Sequence, residues 1–173
     1  MHLVFRCIIC GEVFIGTDKP TNCPFCGAPN KFLVRGKAYR APEEPIKELS
    51  VETREMLQKT LDLEVHATRF YLAASKGSSD PFVQSMFKGL SKTEREHASV
   101  AAKALGVPKP DSLNDPEGDK GSDGKNIMEA DRLEKNATAL YRKFMEESVE
   151  PRAKQIFQAL MEVEASHIEL VNQ

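Results

Sequence analysis

The residues of this chain best suited to chemistry are a glutamate and a histidine three positions apart. Glu94 and His97 lie in the segment S-K-T-E-R-E-H-A, which has a strongly helical composition. At about 100° per residue, this spacing places both side chains on one helix face, one turn apart. A carboxylate oxygen and an imidazole nitrogen can then reach the same point in space.

The same pair recurs 70 positions later, as Glu164 and His167. A single Glu-x-x-His pair is weak evidence, because both residue types are common on exposed helices. The offset of 70 also relates Glu64 to Glu134, Tyr71 to Tyr141, Pro81 to Pro151, Phe87 to Phe157, and Leu90 to Leu160. We interpret this repeat as an internal duplication of a helical hairpin.

All four cysteines lie near the N-terminus, in two Cys-x-x-Cys pairs separated by twelve residues: Cys7 with Cys10 and Cys23 with Cys26. Two such turns, each followed by glycine, supply four thiolates to one tetrahedral metal ion. A segment of about 35 residues buries little core, so we expect the metal to hold it together. Iron would make the site a one-electron carrier and zinc would make it a structural ribbon. Separate thiol pairs or disulfides are the alternative.

The composition of the 173 residues excludes several classes of function. A net charge of −2 gives no electrostatic basis for binding nucleic acid or an anionic membrane. There is no apolar run long enough for a transmembrane helix, and the first residues lack the layout of a signal peptide. Because clustered Cys-x-x-Cys pairs are typical of a reducing compartment, we expect a cytoplasmic protein.

The sequence divides into a metal module at 1–36, a linker at 37–49 and a helical domain at 50–173. Capping residues and glycine stops predict four helices, over about 51–76, 81–105, 126–148 and 151 to the C-terminus. Residues 107–125, rich in Pro, Gly and Asp, are predicted to form a long crossover loop between two hairpins. The expected fold class is mainly α, a four-helix bundle with a small N-terminal β module.

Each predicted helix has an apolar stripe at three- and four-residue spacing, which a four-helix bundle buries. Every stripe is interrupted by glutamate, and two are also interrupted by histidine. Unpaired carboxylates in a core cost several kcal/mol each and repel one another, whereas two Fe²⁺ ions would cancel the charge of four. One Glu on two helices and Glu-x-x-His on the other two is the ligand set of carboxylate-bridged di-iron bundles. The predicted ligands are Glu64, Glu94, His97, Glu134, Glu164 and His167.

Two tyrosines lie on the same faces as these ligands. Tyr71 and Tyr141 follow Glu64 and Glu134 by two turns, where they fill core space or hydrogen-bond the ligand carboxylates. His66 stands only two positions after Glu64 and is expected on the surface.

On these residues the chain resembles the rubrerythrins over nearly its whole length. The two cysteine pairs resemble that family's rubredoxin-like domain, and the six Glu and His residues resemble its ferritin-like di-iron domain. The resemblance implies an Fe(Cys)₄ electron carrier, a non-haem di-iron centre and reduction of hydrogen peroxide to water, in response to oxidative stress. It also implies a homodimer in which the rubredoxin-like centre of one subunit lies near the di-iron site of the other.

The chain departs from the usual family pattern in two respects. The rubredoxin-like module comes first rather than last, so the chain resembles the reversed-order branch. The extra glutamate that the family commonly has three residues after Glu134 is Ala137 here. This leaves a symmetric site of six ligands and keeps oxidase chemistry open beside peroxidase chemistry.

The leading hypothesis is therefore a peroxide-reducing enzyme that receives electrons from rubredoxin or from an NAD(P)H-dependent reductase. The second hypothesis is an O₂-reducing oxidase, a ferroxidase or an iron-handling protein. The third is a non-enzymatic module that binds zinc at both sites.

Overall fold

The N-terminal segment forms a small antiparallel sheet in the computed structural model, which describes all residues 1–173. Strand β1 (Leu3–Cys7) lies in the centre, between β2 (Val13–Gly16) and β3 (Leu33–Arg35). Because β1 ends at Cys7, which is paired with β3, the sheet fixes the position of the first cysteine loop.

Four long helices follow: α1 (Val51–Gly77), α2 (Pro81–Leu105), α3 (Asp123–Glu147) and α4 (Pro151–Val171). Their ends follow local chemistry. The Ser50 side chain accepts a hydrogen bond from the backbone of Thr53 at the start of α1. The Asp80 carboxylate caps α2, with Pro81 at the first helical position. Helix α2 ends at Gly106, whose φ of 74° is left-handed and suits glycine.

Helix α3 begins three residues before the predicted start at Asn126. Ser122 caps it through the backbone of Lys125, and Asn126 lies within the first turn. The Asn126 side chain is buried and instead fixes the crossover loop, through Lys120 N and the Asp119 carboxylate, each at 2.9 Å. The helix was predicted to start at Asn126, and asparagine is indeed common at helix starts.

The two hairpins, α1–α2 and α3–α4, bury equivalent residues in the bundle. Tyr71 stacks on Phe87 with ring centroids 5.8 Å apart, and Tyr141 stacks on Phe157 at 6.3 Å. All four rings are fully buried. The repeat seen in the sequence is therefore a repeat of core packing, and the expected four-helix bundle with a small β module is confirmed.

The connection between the hairpins crosses the bundle as an ordered segment. A short 3₁₀ turn (Asp111–Asn114) buries Leu113. Arg95 of α2 donates to the Leu113 carbonyl at 2.7 Å, and Arg69 of α1 donates to the Asp115 carbonyl at 2.9 Å. These arginines hold the loop against the first hairpin.

The segment before α1 has no regular secondary structure, and it packs on the bundle. Ile46 N donates to the Ala104 carbonyl at 3.0 Å, and Glu44 pairs with Arg152 at 2.5 Å. Ile46 and Leu49 pack against the main hydrophobic core. These contacts fix the segment at one end of the bundle, where α2 ends and α4 begins. None of the helices combines the length and apolarity that crossing a membrane requires.

Candidate metal centres

The four cysteines converge at the end of the sheet. Each is at most 3% exposed, and the Sγ atoms of Cys7 and Cys26, like those of Cys10 and Cys23, are 3.7 Å apart. A disulfide has its sulfurs at about 2.05 Å, whereas four sulfurs at about 2.3 Å from a central ion stand about 3.8 Å apart. The spacing therefore fits a tetrahedral metal site.

Hydrogen bonds among the four thiols shift their pKa values in opposite directions. Hydrogen bonding from Cys10 lowers the pKa of Cys7, and hydrogen bonding to Cys10 raises the pKa of Cys26. Four adjacent buried thiolates need a cation to be stable together. A metal ion bound to all four removes this conflict.

The bundle interior holds a second cluster, made of carboxylates and imidazoles from all four helices. Its members are at most 8% exposed and form two groups of four whose ligand atoms lie within 4.8 Å of one another. The structure thus brings together all six residues that the sequence predicted: Glu64 from α1, Glu94 and His97 from α2, Glu134 from α3, and Glu164 and His167 from α4.

Two of the carboxylates are shared between the groups. His97 Nδ1 lies 2.8 Å from Glu94 Oε2 and 3.0 Å from Glu164 Oε1. His167 Nδ1 lies 3.0 Å from Glu94 Oε1 and 3.0 Å from Glu164 Oε2. Each of these glutamates therefore directs one oxygen to each half of the site, as a bridging ligand does.

The other two carboxylates each belong to one half. Glu64 Oε2 lies 3.8 Å from His97 Nδ1, and Glu134 Oε2 lies 3.5 Å from His167 Nδ1. One half of the site thus contains Glu64 and His97 and the other contains Glu134 and His167, with the bridging pair between them.

The electrostatics divide the six groups into three kinds. Burial, with the nearby Glu164 charge, raises the pKa of Glu64 to about 8 and raises that of Glu134 strongly. Burial opposes ionisation of Glu94 and Glu164 as well, but the two histidines outweigh it and lower both pKa values.

The histidines respond in the opposite sense. Burial disfavours the imidazolium forms of His97 and His167, yet the facing carboxylates, Glu94 first, raise both pKa values well above normal. Without metal, the cluster keeps its charges balanced by holding protons.

Several buried atoms in the cluster have no hydrogen-bond partner: both carboxylate oxygens of Glu94, Oε1 of Glu164 and Nδ1 of His97. These atoms lie close together but lack the angles of hydrogen bonds. Groups left this way in a core are costly, and converging lone pairs suit metal ions. The donor set therefore fits two cations in the Glu₄His₂ arrangement.

The two tyrosines hydrogen-bond the non-shared carboxylates across the bundle. Tyr71 of α1 donates to Glu134 Oε1 on α3, and Tyr141 of α3 donates to Glu64 Oε1 on α1. Burial, and then the partner carboxylates, raise the pKa of both phenols well above normal, so each hydroxyl keeps its proton. Each hairpin thus orients a carboxylate of the other.

The cysteine module lies directly against the bundle beside the carboxylate cluster. His97 Nε2 is 2.8 Å from the Cys26 carbonyl oxygen. With the proton on Nε2, the ring donates to this carbonyl and leaves Nδ1 free as a ligand. His97 therefore contacts both candidate centres.

Cationic side chains hold the other cysteine loop. Lys103 donates to the Cys10 carbonyl at 3.1 Å, and Arg152 donates to the carbonyls of Ile8 and Ile9 at 2.7 and 3.0 Å. The His97–Cys26 contact joins the two candidate centres of one chain. Its physical basis is the packing of the module on α2 and α4, including Gly27 against Val163.

A cavity of about 610 Å³ reaches the carboxylates from the opposite side, between α1 and α3. Glu64 and Glu134 lie along it, and Ala137 lines it. His66 also lines it and is exposed, as expected for a residue outside the ligand set. One face of the site therefore meets the cysteine module and the other meets an open cavity.

Nothing in the sequence indicated the His97–Cys26 contact, the anchoring of the module by Lys103 and Arg152, or the cavity. The anchoring residues are ordinary surface types in the sequence, and their partners are 93 to 144 positions away. The available signal was general: a metal-binding histidine usually donates its second ring N–H to a carboxylate or a backbone carbonyl.

The fold and the two donor sets define a carboxylate-type di-iron bundle with an attached four-cysteine metal module. Comparison with known families agrees: the rubrerythrin model matches residues 55–173, and the model of the rubrerythrin rubredoxin-like domain matches residues 5–33. The chain belongs to the rubrerythrin family, whose members are non-haem iron redox proteins, and it has the reversed domain order.

The name of one curated relative also indicates a reversed domain order. Reverse rubrerythrin-1 from Clostridium acetobutylicum is 33% identical over 112 residues, which cover 59% of this chain and 61% of the relative. The alignment thus spans about three fifths of the relative's length. No solved structure matches the chain significantly.

Proposed function

We propose that the protein reduces hydrogen peroxide to water with electrons that enter at the four-cysteine site. Two electrons and two protons convert one peroxide into two waters. The proposal rests above all on His97, which joins the Cys26 carbonyl to the carboxylate cluster through the two nitrogens of one ring. When bound, the metals would supply the redox equivalents and the Lewis acidity that O–O cleavage needs.

We assign roles to this chain's residues accordingly. Cys7, Cys10, Cys23 and Cys26 would hold one iron, or zinc if the site is structural. Glu94 and Glu164 would bridge two irons, with Glu64 and His97 on one and Glu134 and His167 on the other. Tyr71 and Tyr141 would hold Glu134 and Glu64 in orientation.

The positions of the two approaches support this assignment. The cysteine module lies on the α2 and α4 side, whereas the cavity opens between α1 and α3. Electrons and oxidant would therefore reach the cluster from opposite faces, and peroxide would not need to displace the module.

The test is anaerobic stopped-flow mixing of the reduced, iron-loaded protein with peroxide. The visible band of the oxidised cysteine site should return quickly in the wild type and at least tenfold more slowly in Glu94→Ala and His97→Ala. Glu96→Ala, a partly exposed neighbour on α2, is the matched control and should behave as wild type. Equal rates in all four proteins would refute peroxide reduction at this site.

Ala137 favours a second candidate function, reduction of O₂ or oxidation of Fe²⁺. The resemblance ties the family's extra glutamate at this position to movement of one iron, and a partly buried alanine lines the cavity here. Turnover with O₂ that exceeds turnover with peroxide would favour the second function. Zinc at both sites after anaerobic purification would refute both.

We further propose a cytoplasmic homodimer served by an external donor, either rubredoxin or an NAD(P)H-dependent reductase. The clustered cysteine pairs, whose sulfurs are spaced for a metal ion rather than for disulfides, support a reducing compartment. Reduction of the cysteine site by candidate donors, followed at its visible band, tests the donor, and sedimentation tests the dimer.

A further inference from the structure

The cavity between α1 and α3 is much larger than hydrogen peroxide requires. Its volume of about 610 Å³ compares with roughly 30 Å³ for one water molecule in the liquid. It falls within the range of about 300–1,000 Å³ that is typical of sites for organic small molecules. Eight of its 17 lining residues are hydrophobic.

The apolar wall repeats with the duplication of the hairpin. Leu63 and Ala67 on α1 correspond to Leu133 and Ala137 on α3, each pair 70 positions apart. The alanines stand one turn beyond Glu64 and Glu134, where their small side chains leave space directly beside the carboxylates. All four apolar residues are only partly buried. Equivalent leucine and alanine side chains from both hairpins therefore line the space.

We propose that this cavity binds organic hydroperoxides, with the hydroperoxide group at the carboxylate cluster and an apolar body between the leucines and alanines. The inference rests on the proposed peroxide reduction and names a wider substrate class for the same site. One hydroperoxide takes up two electrons from the donor protein and two protons from water. The O–O bond breaks, and one alcohol and one water leave.

The arrangement of polar and apolar groups carries the proposal. The buried carboxylates Glu64, Glu94, Glu134 and Glu164 form the inner polar end of the cavity, and the leucines and alanines lie next to them. Five exposed polar residues complete the lining: Lys59, His66, Arg132, Asn136 and Lys143. A ligand with one polar and one apolar end matches this division. Hydrogen peroxide has no part that would contact the leucines, so these contacts act only on a larger substrate.

The experiment compares cumene hydroperoxide with hydrogen peroxide in the iron-loaded protein. Ala137→Phe and, at the equivalent position, Ala67→Phe fill the cavity without removing a carboxylate. Met128→Phe adds the same side chain at an exposed position on α3, 74% accessible, and is the matched control. Binding of the unreactive product cumyl alcohol is measured by calorimetry in the same proteins.

We expect the wild-type kcat/KM for cumene hydroperoxide to lie within tenfold of that for hydrogen peroxide. The ratio of the two should fall at least tenfold in both filling variants and stay unchanged in Met128→Phe. A wild-type preference for hydrogen peroxide above 100-fold, or equal losses with both substrates, would overturn the inference and leave peroxide reduction standing.

If neither peroxide is reduced, the proposed function fails, and the binding measurement then decides the inference by itself. Saturable binding of cumyl alcohol that is lost in Ala137→Phe and Ala67→Phe, but kept in Met128→Phe, supports an organic-ligand cavity. Absence of binding to the wild type, for example because a second copy of the chain covers this face, refutes it.

Discussion

The two helical hairpins carry the same ligands and differ in what surrounds them. Helices α1 and α2 supply Glu64, Glu94 and His97, and α3 and α4 supply the same types 70 positions later. The stacked Tyr–Phe pairs and the crossed tyrosine–glutamate hydrogen bonds also repeat. The duplication therefore specifies a symmetric ligand set together with the packing that holds it.

The surroundings break this symmetry at two equivalent pairs of positions. His97 Nε2 meets the Cys26 carbonyl, whereas His167 Nε2 has no hydrogen-bond partner in the protein. Asp80 caps its own helix, whereas Glu150, its counterpart, reaches Ser50 and Thr53 on the other hairpin. Single contacts that are not repeated therefore make the two halves of the duplicated site different.

The largest expected effect tests the symmetric part of the comparison. Glu94→Ala and Glu164→Ala each remove a carboxylate shared by both halves, so each should reduce the bundle's iron from two ions to fewer than one. Glu64→Ala and Glu134→Ala remove a carboxylate from one half, and each should lose about one ion. Elemental analysis, with the cysteine site counted by its visible absorbance, measures this.

Circular dichroism controls for folding in all four variants, and Glu96→Ala should retain both ions. If Glu94→Ala and Glu164→Ala differed by more than one ion, the two carboxylates would not be equivalent bridges.

The next effect tests the asymmetric part. His97→Gln and His167→Gln each remove one imidazole from the cluster, but only His97→Gln also removes the link to Cys26. Reoxidation of the cysteine site by peroxide should slow at least tenfold more in His97→Gln than in His167→Gln. Stopped-flow absorbance on proteins of matched iron content measures the difference, and equal slowing would show that electrons take another route.

Proton release on metal loading should be divided evenly between the hairpins. Burial, then the Glu164 charge, raises the pKa of Glu64 to about 8 and raises that of Glu134. The facing carboxylates overcome burial and raise the pKa of His97 and His167. Without metal at pH 7, the two glutamates are therefore neutral and the two histidines are imidazolium ions. Each of the four groups gives up one proton when the two cations bind, so about four protons should leave.

Because loading releases protons, metal affinity should rise with pH, and the number released should fall above pH 8 as Glu64 ionises beforehand. Calorimetry in two buffers of different ionisation enthalpy counts the protons. Glu64→Gln and Glu134→Gln should each lower the count by about one. A wild-type count of two or fewer would show that the metal-free cluster is not held by protons in this way.

The smallest effects concern the two helix starts. Asp80→Ala removes a cap and should cost about 1 kcal/mol of unfolding free energy. Glu150→Ala removes bonds to Ser50 N at 2.6 Å and Thr53 Oγ1 at 2.5 Å, and should cost about 1–2 kcal/mol. Urea denaturation measures both losses.

The pH dependence of Glu150 identifies its contribution. Burial opposes its ionisation, but the bonds from Thr53 and Ser50 prevail and lower its pKa to about 2. A carboxyl whose pKa falls on folding stabilises the protein above its ordinary value of 4.5, and this stabilisation is lost as the pH falls toward 2. The stability difference between wild type and Glu150→Ala should therefore shrink between pH 6 and pH 3. A constant difference would assign the loss to packing alone.

Local signals in the sequence predicted much of this molecule. Ser50, Asp80, Pro81 and Gly106 mark helix ends through hydrogen bonds and backbone angles within a few residues. The predicted start of α3 was wrong by three residues. The Asn126 side chain hydrogen-bonds the crossover loop instead of capping the helix, and no local pattern reveals this.

The sequence by itself determined which residues could bind metal, because helical periodicity and the cysteine spacing act over a few residues and repeat at a fixed offset. It could not determine which carboxylates lie between the two halves of the bundle cluster. Nor could it show that His97 meets Cys26, 71 positions away, or that α1 and α3 leave an open cavity. Those features depend on how separate elements pack, and packing is decided by the summed contacts of the whole chain.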